Sequence, residues 1–366
     1  MKKVISAGHI CLDITPVFPA GKQYDSVSSL LVPGRLVQMD AADVHTGGSV
    51  ANTGLALKLL GCDVTLMGKV GDDSFGMIIR NILAEYGAGG LLVDPGSSTS
   101  YSVVVAVPGQ DRIFLHSPGA NDTFTGADIP EEALQDAALF HFGYPPLMKC
   151  TWENDGAELT AMYRRMKEKG IATSLDLAAV DPASPAGQAD WEKILCGVLP
   201  YVDFFVPSFE ELCWMLDRER YDRLAAGGGD MTAGLDPEAE AMPLAEETLS
   251  MGCRAALIKC GTSGMLLRTA GRTDMEKTGA RLGLDTEAWS DQTVIQPCYK
   301  ADIVRSSAGA GDTSIAAFLT AVLRGRKPAD CLKLACAEGA CCVTTYDTLS
   351  GLKPLDELEE RIRRGW

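Results

Sequence analysis

The sequence predicts an α/β fold in which a mostly parallel sheet carries helices on both faces. Short apolar runs, typical of buried strands, alternate with helical stretches over most of the 366 residues. Several helical stretches are followed directly by glycine, the residue favoured just past a helix C-terminus. Hydrophobic residues make up 46% of the chain and charged residues 22%, a composition that is typical of globular proteins and excludes a disordered chain.

The individual elements follow from this alternation. Apolar runs of strand length lie at residues 4–8, 64–68, 139–142, 171–176, 202–206 and 255–259. Helices are predicted over residues 49–60, 76–86, 153–169, 209–216, 313–324 and 331–340. Glycines at the expected helix ends are Gly61, Gly87, Gly170 and Gly325.

One segment breaks the alternation in a way that predicts a hairpin. Residues 101–107 alternate in polarity and are followed, after Pro-Gly-Gln-Asp, by a second such run at 112–116. Together with residues 30–44, this hairpin is expected to form a small β-element that projects from the main sheet.

Two other stretches predict surface insertions, at about 217–247 and 270–292. The first is rich in Gly, Ala and acidic residues, and the second is polar. Neither an internal repeat nor a clear linker divides the chain. We therefore expect a single domain over residues 1–366.

Charge and targeting signals restrict the class of protein. The chain has 33 basic and 49 acidic side chains, so its formal charge is −16, which disfavours non-specific binding to nucleic acid or anionic lipid. No apolar run reaches the ~18 residues of a membrane span. The apolar start meets Asp13 too early for the core of a signal peptide. A cytoplasmic protein with no nucleic-acid or membrane partner is expected.

The cysteines do not indicate a disulfide scaffold. All 12 are scattered through the chain, with Cys341-Cys342 as the adjacent pair. There is no Cys-x-x-Cys motif and no Cys/His cluster with metal-ligand spacing, so structural zinc is not expected. We expect small buried hydrophobic residues in a reducing compartment.

The strongest local motif is Ser-Ser-Ala-Gly-Ala-Gly-Asp at 306–312, directly before a predicted helix. Small residues there let successive backbone N–H groups point outward, and the helix dipole adds positive potential, so the motif predicts an anion site. An anion repels a neighbouring carboxylate, and general-base catalysis toward an incoming hydroxyl would explain why Asp312 lies there. Alternatively, Asp312 caps the helix, because Asp is favoured at N-caps. The motif alone does not decide between the two.

A second motif, Thr-Gly-Gly-Ser-Val-Ala-Asn at 46–52, opens another predicted helix. The double glycine Gly47-Gly48 would let a ligand approach the backbone closely. Asn52, one turn later, carries an amide that can both donate and accept hydrogen bonds. A plain turn before a buried helix would also explain the glycines, but it explains Asn52 less well.

A third candidate is Asp13, which lies just past the predicted strand 4–8. In open parallel sheets, ligands bind beyond the carboxyl ends of the strands, so Asp13 is a candidate for holding sugar hydroxyls. A lone Asp after a strand is also a common turn residue.

In this order, the motifs resemble those of the PfkB, or ribokinase-like, family of carbohydrate kinases. The residues that carry the resemblance are Gly-His-Ile-Cys-Leu-Asp at 8–13, Gly-Gly-x-x-Ala-Asn at 47–52, Leu-Leu-Gly at 59–61, Gly-Lys-Val-Gly-Asp-Asp-x-Phe-Gly at 68–76 and Gly-Ala-Gly-Asp at 309–312. The resemblance covers about residues 4–350. It implies a ribokinase-like fold with a small β-sheet lid formed by about 14–45 and 98–120, through which family members commonly form homodimers.

The resemblance also implies roles for the residues that match the family's motifs. The implied catalytic base is Asp312, and the implied anion hole is the backbone of Gly309, Ala310 and Gly311. Contacts with substrate hydroxyls are implied for Asp13, Gly47, Gly48 and Asn52. Contacts with ATP are implied for Ser208, Lys259, Gly261, Thr262, Gly264 and Cys336. Glu211 matches the Glu of the family's Asn-x-x-Glu motif, which implies an indirect contact with Mg²⁺ through water.

The chain departs from the family pattern at three places. Ser306-Ser307-Ala308 replaces Asp-Thr-Thr, and the lost carboxylate argues against the family's common activation by a monovalent cation. Ser208 replaces the Asn of Asn-x-x-Glu, so magnesium binding would depend more on water and Glu211. Gly143 stands where ribokinase-type sequences place a sugar-binding Glu, so ribose is not favoured.

The resulting functional prediction is an ATP-dependent kinase for an unphosphorylated sugar. Residues 36–57 contain no Lys or Arg to bind a substrate phosphate, and Ser49 stands where related sequences often have Lys. A nucleoside kinase and a sugar-binding protein that has lost turnover remain as alternatives. A dinucleotide oxidoreductase is disfavoured, because the chain lacks its Gly-x-Gly-x-x-Gly fingerprint.

Overall fold

The computed structural model describes residues 2–21, 24, 27–108 and 112–366. The strands are β1 (Lys3–Gly8), β2 (Cys11–Pro16), β3 (Ala42–Gly47), β4 (Asp63–Met67), β5 (Lys69–Gly71), β6 (Leu92–Asp94), β7 (Tyr101–Val105), β8 (Ile113–Ser117), β9 (Ala137–Gly143), β10 (Ala172–Leu175), β11 (Phe204–Phe205), β12 (Ala255–Lys259), β13 (Met265–Thr269) and β14 (Thr293–Gln296). The α-helices are α1 (Val27–Leu30), α2 (Ser49–Leu59), α3 (Ser74–Glu85), α4 (Glu131–Leu134), α5 (Lys149–Glu168), α6 (Trp191–Val198), α7 (Phe209–Leu216), α8 (Arg218–Ala225), α9 (Met242–Ser250), α10 (Arg272–Met275), α11 (Thr286–Trp289), α12 (Ala310–Leu323), α13 (Pro328–Cys342) and α14 (Leu355–Arg363).

The main sheet has the strand order β14-β13-β12-β11-β10-β9-β1-β4 within the described residues. Strands β12, β11, β10, β9, β1 and β4 pair in parallel, whereas β13 and β14 are antiparallel additions at one edge. The predicted mostly parallel sheet is therefore confirmed. Because parallel strands end at the same edge, the residues after β1, β9, β10 and β12 lie along one side of the sheet.

Helices cover both faces of this sheet, as predicted. Successive strand residues point to opposite faces, so Phe140 packs in one core with α5, α6 and α7, whereas Leu139 packs in a second core with α12 and α13. All seven residues of β9 are buried, which is expected of a strand enclosed on both sides.

A second, smaller sheet has the order β3-β2-β7-β8 within the described residues, and we call it the lid sheet. The predicted hairpin is confirmed as the antiparallel pair β7 and β8, whose register places Tyr101 opposite Ser117. Its turn, at 109–111, lies outside the described residues, as do 22–23 and 25–26 of the expected lid segment. Of the predicted segment 30–44, just the last residues belong to the lid sheet, because β3 covers Ala42–Gly47. Strand β2 of this sheet was not predicted.

Four helices of the structure, α3, α5, α12 and α13, begin before their predicted starts, and two of these differences bear on the site or on the backbone. Helix α12 begins three residues before the predicted start, at Ala310, so Ala310, Gly311 and Asp312 lie in its first turn. The predicted helix 153–169 matches the second part of α5, because residues 153–156 interrupt that helix with non-helical backbone angles.

The two expected surface insertions contain regular structure. Residues 217–247 include α8 and most of α9. In the 270–292 stretch, Met275, Leu282 and Trp289 are buried in the second core, beside Phe204 and Phe318. That stretch is polar on average, and three apolar residues nevertheless anchor it to the body of the protein.

Two further observations concern membranes and disulfides. Within the described ranges, no helix combines the length and apolarity that crossing a bilayer requires. The 12 cysteines all lie in described parts of the chain, and each is a free thiol.

Candidate active site

The candidate site lies in a cleft at the carboxyl edge of the main sheet, between that sheet and the lid sheet. Predicted site residues that line this cleft are Asp13, Gly48, Asn52, Ser208, Glu211, Lys259, Gly261, Thr262, Gly264, Gly309, Ala310, Gly311, Asp312 and Cys336. Gly47 ends β3 and pairs with Cys11 of β2. The structure thus brings together residues that are up to about three hundred positions apart in sequence.

Asp312 is buried in the first turn of α12 and is held by neutral side chains. Asn52 Nδ2 donates to Oδ2 at 3.2 Å, and Thr53 Oγ1 donates to Oδ1 at 3.0 Å. The Tyr144 hydroxyl lies 2.9 and 2.8 Å from the two carboxylate oxygens. Burial raises the pKa of Asp312 above its ordinary value, although Lys259 and these hydrogen bonds oppose the rise.

The alternative that Asp312 is the helix cap is wrong. The N-cap of α12 is Gly309, in the left-handed conformation at φ 73°, and no side chain caps this helix. The carboxylate of Asp312 instead accepts hydrogen bonds from α2 and from the residue after β9. Its position is explained by these long-range contacts and not by local helix capping.

The loop before α12 has the geometry of an anion site. The amide of Ala310 donates to the carbonyl of Ser307 at 3.3 Å, whereas in the described part of the chain the amides of Gly311 and Asp312 donate to no carbonyl. Such unpaired N–H groups, at the N-terminus of a 14-residue helix, are the donors that bind phosphate oxygens. Gly309 has no room for a side chain, because a Cβ there would overlap Thr348.

Asp13 lies in β2 of the lid sheet, so the alternative that it is a turn residue after β1 is wrong. Cys11 Sγ donates to its Oδ1 at 3.2 Å, and Ser102 also hydrogen-bonds the carboxylate. Burial raises the pKa of Asp13, and the nearby charge of Asp312 adds to this rise. The two carboxylates therefore face the same cleft.

The double glycine is required by close packing around Asp13. A Cβ at Gly47 would overlap the Asp13 carboxylate. Gly48 has φ 85°, and a Cβ there would lie 2.6 Å from Nδ1 of His9. Neighbouring side chains therefore exclude a side chain at Gly47, whereas both the backbone conformation and His9 exclude one at Gly48.

Asn52 makes a contact that the sequence did not predict. Its amide donates to Asp312 from the first turn of α2, where it helps to hold the carboxylate. The resemblance implied a contact with a substrate hydroxyl. An amide can make both contacts, because it has two N–H groups and an acceptor oxygen.

Lys259, at the end of β12, is buried in an ion pair with Asp176, which follows β10. The Lys259 Nζ to Asp176 Oδ1 distance is 2.7 Å, and the two side chains are 11% and 3% exposed. Burial lowers the pKa of Lys259, but the carboxylates of Asp176, Glu211 and Asp312 outweigh burial and raise it above the ordinary value. The lysine is therefore a permanent cation in the middle of the cleft.

Ser208 and Glu211 form a capping box at the start of α7. The Ser208 amide donates to Glu211 Oε2 at 2.9 Å, and the Glu211 amide donates to Ser208 Oγ at 3.3 Å. No group of three or more His, Cys, Asp or Glu side chains in the described ranges is arranged to hold a metal ion directly. These residues fit an indirect Mg²⁺ contact, because Mg²⁺ commonly keeps several waters and uses one or two carboxylates together with substrate phosphates.

The remaining predicted nucleotide residues lie at the far end of the cleft. Gly261 and Thr262 form an exposed 3₁₀ turn between β12 and β13, which Gly264 closes at φ 100°. Cys336 is 2% exposed on α13, and its thiol donates to the carbonyl of Gln296 at 3.6 Å.

The lid sheet also contacts the catalytic loop. Arg112, just before β8, donates from Nη2 to Ser307 Oγ at 3.0 Å, and its guanidinium lies 5.8 Å from the centre of the Phe114 ring. Ser307 immediately precedes the Ala-Gly-Ala-Gly-Asp stretch. The lid sheet is thus hydrogen-bonded to the segment that presents the anion site.

Sequence reasoning missed three of the residues that contact the predicted ones: Thr53, Tyr144 and Asp176. Tyr144 and Asp176 directly follow β9 and β10 of the main sheet, and the carboxyl-edge rule that selected Asp13 also applies to them. Thr53 gave no signal, because a hydroxyl inside a helix has many ordinary explanations.

Comparison with known proteins was made at three levels. The model of the pfkB family of carbohydrate kinases matches residues 2–354. Fructokinase-1 of Oryza sativa subsp. japonica is 28% identical over 196 residues, which cover 52% of this chain and 56% of that protein. Fructokinase-2 of the same plant is 27% identical over 223 residues, which cover 60% and 61%. The chain thus spans a little over half the length of the curated relatives that it matches.

Solved structures share the fold over nearly the whole chain. The ribokinase of Arabidopsis thaliana, complexed with ribose and ATP, has a TM-score of 0.68 at 18% identity and covers 98% of both chains. A ribokinase II structure from E. coli, with ATP and Mg²⁺, has a TM-score of 0.69 at 19% identity and covers 100% of both. These likenesses confirm the predicted ribokinase-like fold.

Proposed function

The chain belongs to the pfkB family of carbohydrate kinases, and on that premise we propose that it transfers the γ-phosphoryl group of ATP to a hydroxyl of an unphosphorylated sugar. The observation that carries the proposal is the buried Asp312, held next to the unpaired amides at the N-terminus of α12. A base adjoining an anion site is what phosphoryl transfer to an alcohol requires.

The residues around Asp312 suggest how this chain performs the reaction. Asn52 and Thr53 fix the orientation of the carboxylate, so that it accepts the proton of the attacking hydroxyl as the oxygen–phosphorus bond forms. The Gly311 and Asp312 amides stabilise the negative charge of the transferring group. Gly309 and Ala310 shape the turn that presents these amides.

The polar groups beside Asp13 support a neutral sugar as the acceptor. Burial lowers the pKa of His9 and of His116, so both imidazoles are uncharged at neutral pH. With Asp13 and Ser102 they offer hydrogen bonds to hydroxyls and no compensating cation for a phosphate. The fructokinase relatives favour a hexose, and the absence of a Glu at Gly143 argues against ribose.

ATP and Mg²⁺ are the proposed co-substrate and metal. The turn Gly261–Ser263, with Gly264 and Cys336, would hold the nucleotide, and Ser208 lies beside Lys259 toward the phosphates. When bound, Mg²⁺ would neutralise phosphate charge, with Glu211 holding it through water. Ser306, where the family has Asp, supports activity without an added monovalent cation.

The test is ADP release from ATP in the presence of candidate acceptors. We expect fructose to support turnover, with a kcat/KM at least about tenfold above that of fructose 6-phosphate. A preference for the phosphorylated sugar would contradict the proposed substrate class and implicate Arg112 as a phosphate ligand. A preference for adenosine would favour the nucleoside-kinase alternative, and sugar binding without turnover would favour the binding-protein alternative.

We also propose a homodimer formed through the lid sheet, in the cytoplasm. Support for the dimer comes from exposed apolar side chains on the lid segments, including Leu36, Phe114 and Leu115, which are 89%, 55% and 55% exposed. Support for the cytoplasm comes from the free thiols. Sedimentation equilibrium tests the dimer, which a concentration-independent monomer mass would contradict.

A further inference from the structure

The Lys259–Asp176 pair lies against the anion site and has no role in the mechanism given above. A Cβ atom added at Gly311 would lie 3.7 Å from Nζ of Lys259 and 3.7 Å from its Cδ, so the lysine side chain runs alongside the first turn of α12. Gly311 supplies one of the two unpaired amides. The ammonium and these amides therefore border the same small volume.

A buried ammonium is costly unless other charges compensate it. Here Asp176 accepts its hydrogen bond at 2.7 Å, and the charges of Glu211 and Asp312 also act on it. Burial, together with the charges of Glu211 and Asp312, raises the pKa of Asp176 to about 8 despite the opposing charge of Lys259. The acidic groups in the place where the triphosphate must bind therefore repel one another and would repel it. The lysine offsets part of this repulsion beside Gly311, whereas Arg112 contacts the same loop at Ser307.

A purely structural ion pair would not need this location. Lys167 and Asp203 form another buried pair, with an Nζ to Oδ1 distance of 2.6 Å. This pair lies at the opposite edge of the sheet, where the Asp203 carboxylate also accepts from the amides of Thr173 and Gly279. Two backbone amides thus tie Asp203 to the fold through its Oδ2 atom. Lys259 instead makes one described side-chain hydrogen bond, which leaves two of its three N–H groups for another acceptor.

We propose that Lys259 is a second catalytic residue, whose ammonium hydrogen-bonds the transferring phosphoryl group opposite the Gly311 and Asp312 amides, and that Asp176 is the residue that positions it. This inference rests on the proposed kinase function. It goes beyond nucleotide binding, because the lysine would contact the phosphoryl group while that group is being transferred. Charge develops on that group in the transition state, where a preorganised cation has its largest effect.

The bond changes are those of an in-line phosphoryl transfer. The acceptor oxygen forms a bond to the γ-phosphorus, and its proton passes to Asp312. The bond between the γ-phosphorus and the β,γ-bridging oxygen breaks, and ADP leaves with that electron pair. Lys259 keeps its proton throughout and stabilises the oxygens of the phosphoryl group as they move.

The experiment compares wild type with Lys259→Met and Lys259→Ala. We expect Lys259→Met to lower kcat about 10²–10³-fold, as for loss of one transition-state donor, with less than about a fivefold change in affinity for a non-hydrolysable ATP analogue. Added ethylammonium should raise the kcat of Lys259→Ala at least about fivefold, and this increase should saturate with the amine concentration. The matched control is Lys193→Met, which breaks an exposed Lys–Asp pair with the same 2.7 Å separation and should leave kcat unchanged.

The positioning role of Asp176 is tested in the same assay. Asp176→Asn should lower kcat about tenfold and should not respond to ethylammonium, because the lysine is still present. A Lys259→Met enzyme with more than half of the wild-type kcat would overturn the inference. So would an equal loss of ATP-analogue affinity and kcat without amine rescue, which would mean a structural or ground-state role. If the wild-type protein turns over no acceptor, the proposed kinase function is contradicted. If both the wild type and Lys259→Met are active, the kinase function stands and the role of Lys259 is contradicted.

Discussion

Two aspartates face the cleft from different supports, and the contrast separates chemistry from recognition. Asp312 lies on a long helix packed in the second core, and side chains from α2 and the end of β9 hold it. Asp13 lies on a strand of the small lid sheet, whose outer face exposes apolar side chains. Under the proposed function, the base would lie on the main body of the protein, and the group that selects the acceptor would lie on the smaller sheet.

The largest effect is expected from Asp312→Asn, which removes the base and keeps the shape. Loss of a general base typically lowers kcat about 10²–10⁴-fold. The KM values for ATP and sugar should stay nearly unchanged, because the base acts as the proton moves. Steady-state kinetics with fructose check this, and retention of more than half of the wild-type kcat would refute the assignment.

Asp13→Ala tests the lid side of the contrast. Removing a carboxylate that accepts two hydroxyl hydrogen bonds should cost about 2–4 kcal/mol, seen as a higher KM for the sugar. The KM for ATP should change far less. Equal rises in both KM values, together with a lower melting temperature, would mean that Asp13 stabilises the lid sheet and does not bind the acceptor.

Tyr144→Phe gives the smallest of these effects and probes the hydrogen bonds on Asp312. The phenol donates to the ionised carboxylate and so opposes the rise that burial causes in the pKa of Asp312. Its loss should raise that pKa further. A base is lost as the pH falls through its pKa, so the acidic limb of the kcat profile should move to higher pH. We expect about a threefold to tenfold loss at pH 6 and little loss at pH 8; an unchanged profile would show that Tyr144 does not tune the base.

The fold was predictable from local patterns, because strand and helix periodicity and the glycines past helix ends are short-range signals. The parallel strands and the hairpin were found in this way. Strand β2 was missed, because it begins at Cys11, with just two residues between it and the end of β1 at Gly8. The alternative that Asp13 is a turn residue is therefore wrong, because it lies in a strand.

The site was predictable in part. Gly309, Gly311 and Asp312 are contiguous and form a motif, whereas Tyr144 and Lys259 meet Asp312 and Asp176 only through the sheet topology. Contacts across 83 or 168 positions leave no local pattern in one sequence. The choice between base and helix cap likewise needed the side-chain partners of Asp312, which the motif does not contain.

The hydrogen bonds on Asp312, including those from Tyr144, bear on how much ATP is hydrolysed without a sugar. The carboxylate accepts from Asn52, Thr53 and Tyr144, and because each oxygen has two lone pairs it keeps room for one more donor. A sugar that also contacts Asp13 would hold its hydroxyl at this remaining place, whereas a water molecule has no such second contact to orient it. Under the proposed function, ATP alone would therefore be hydrolysed slowly, and nucleotide would be consumed in proportion to the sugar that is bound.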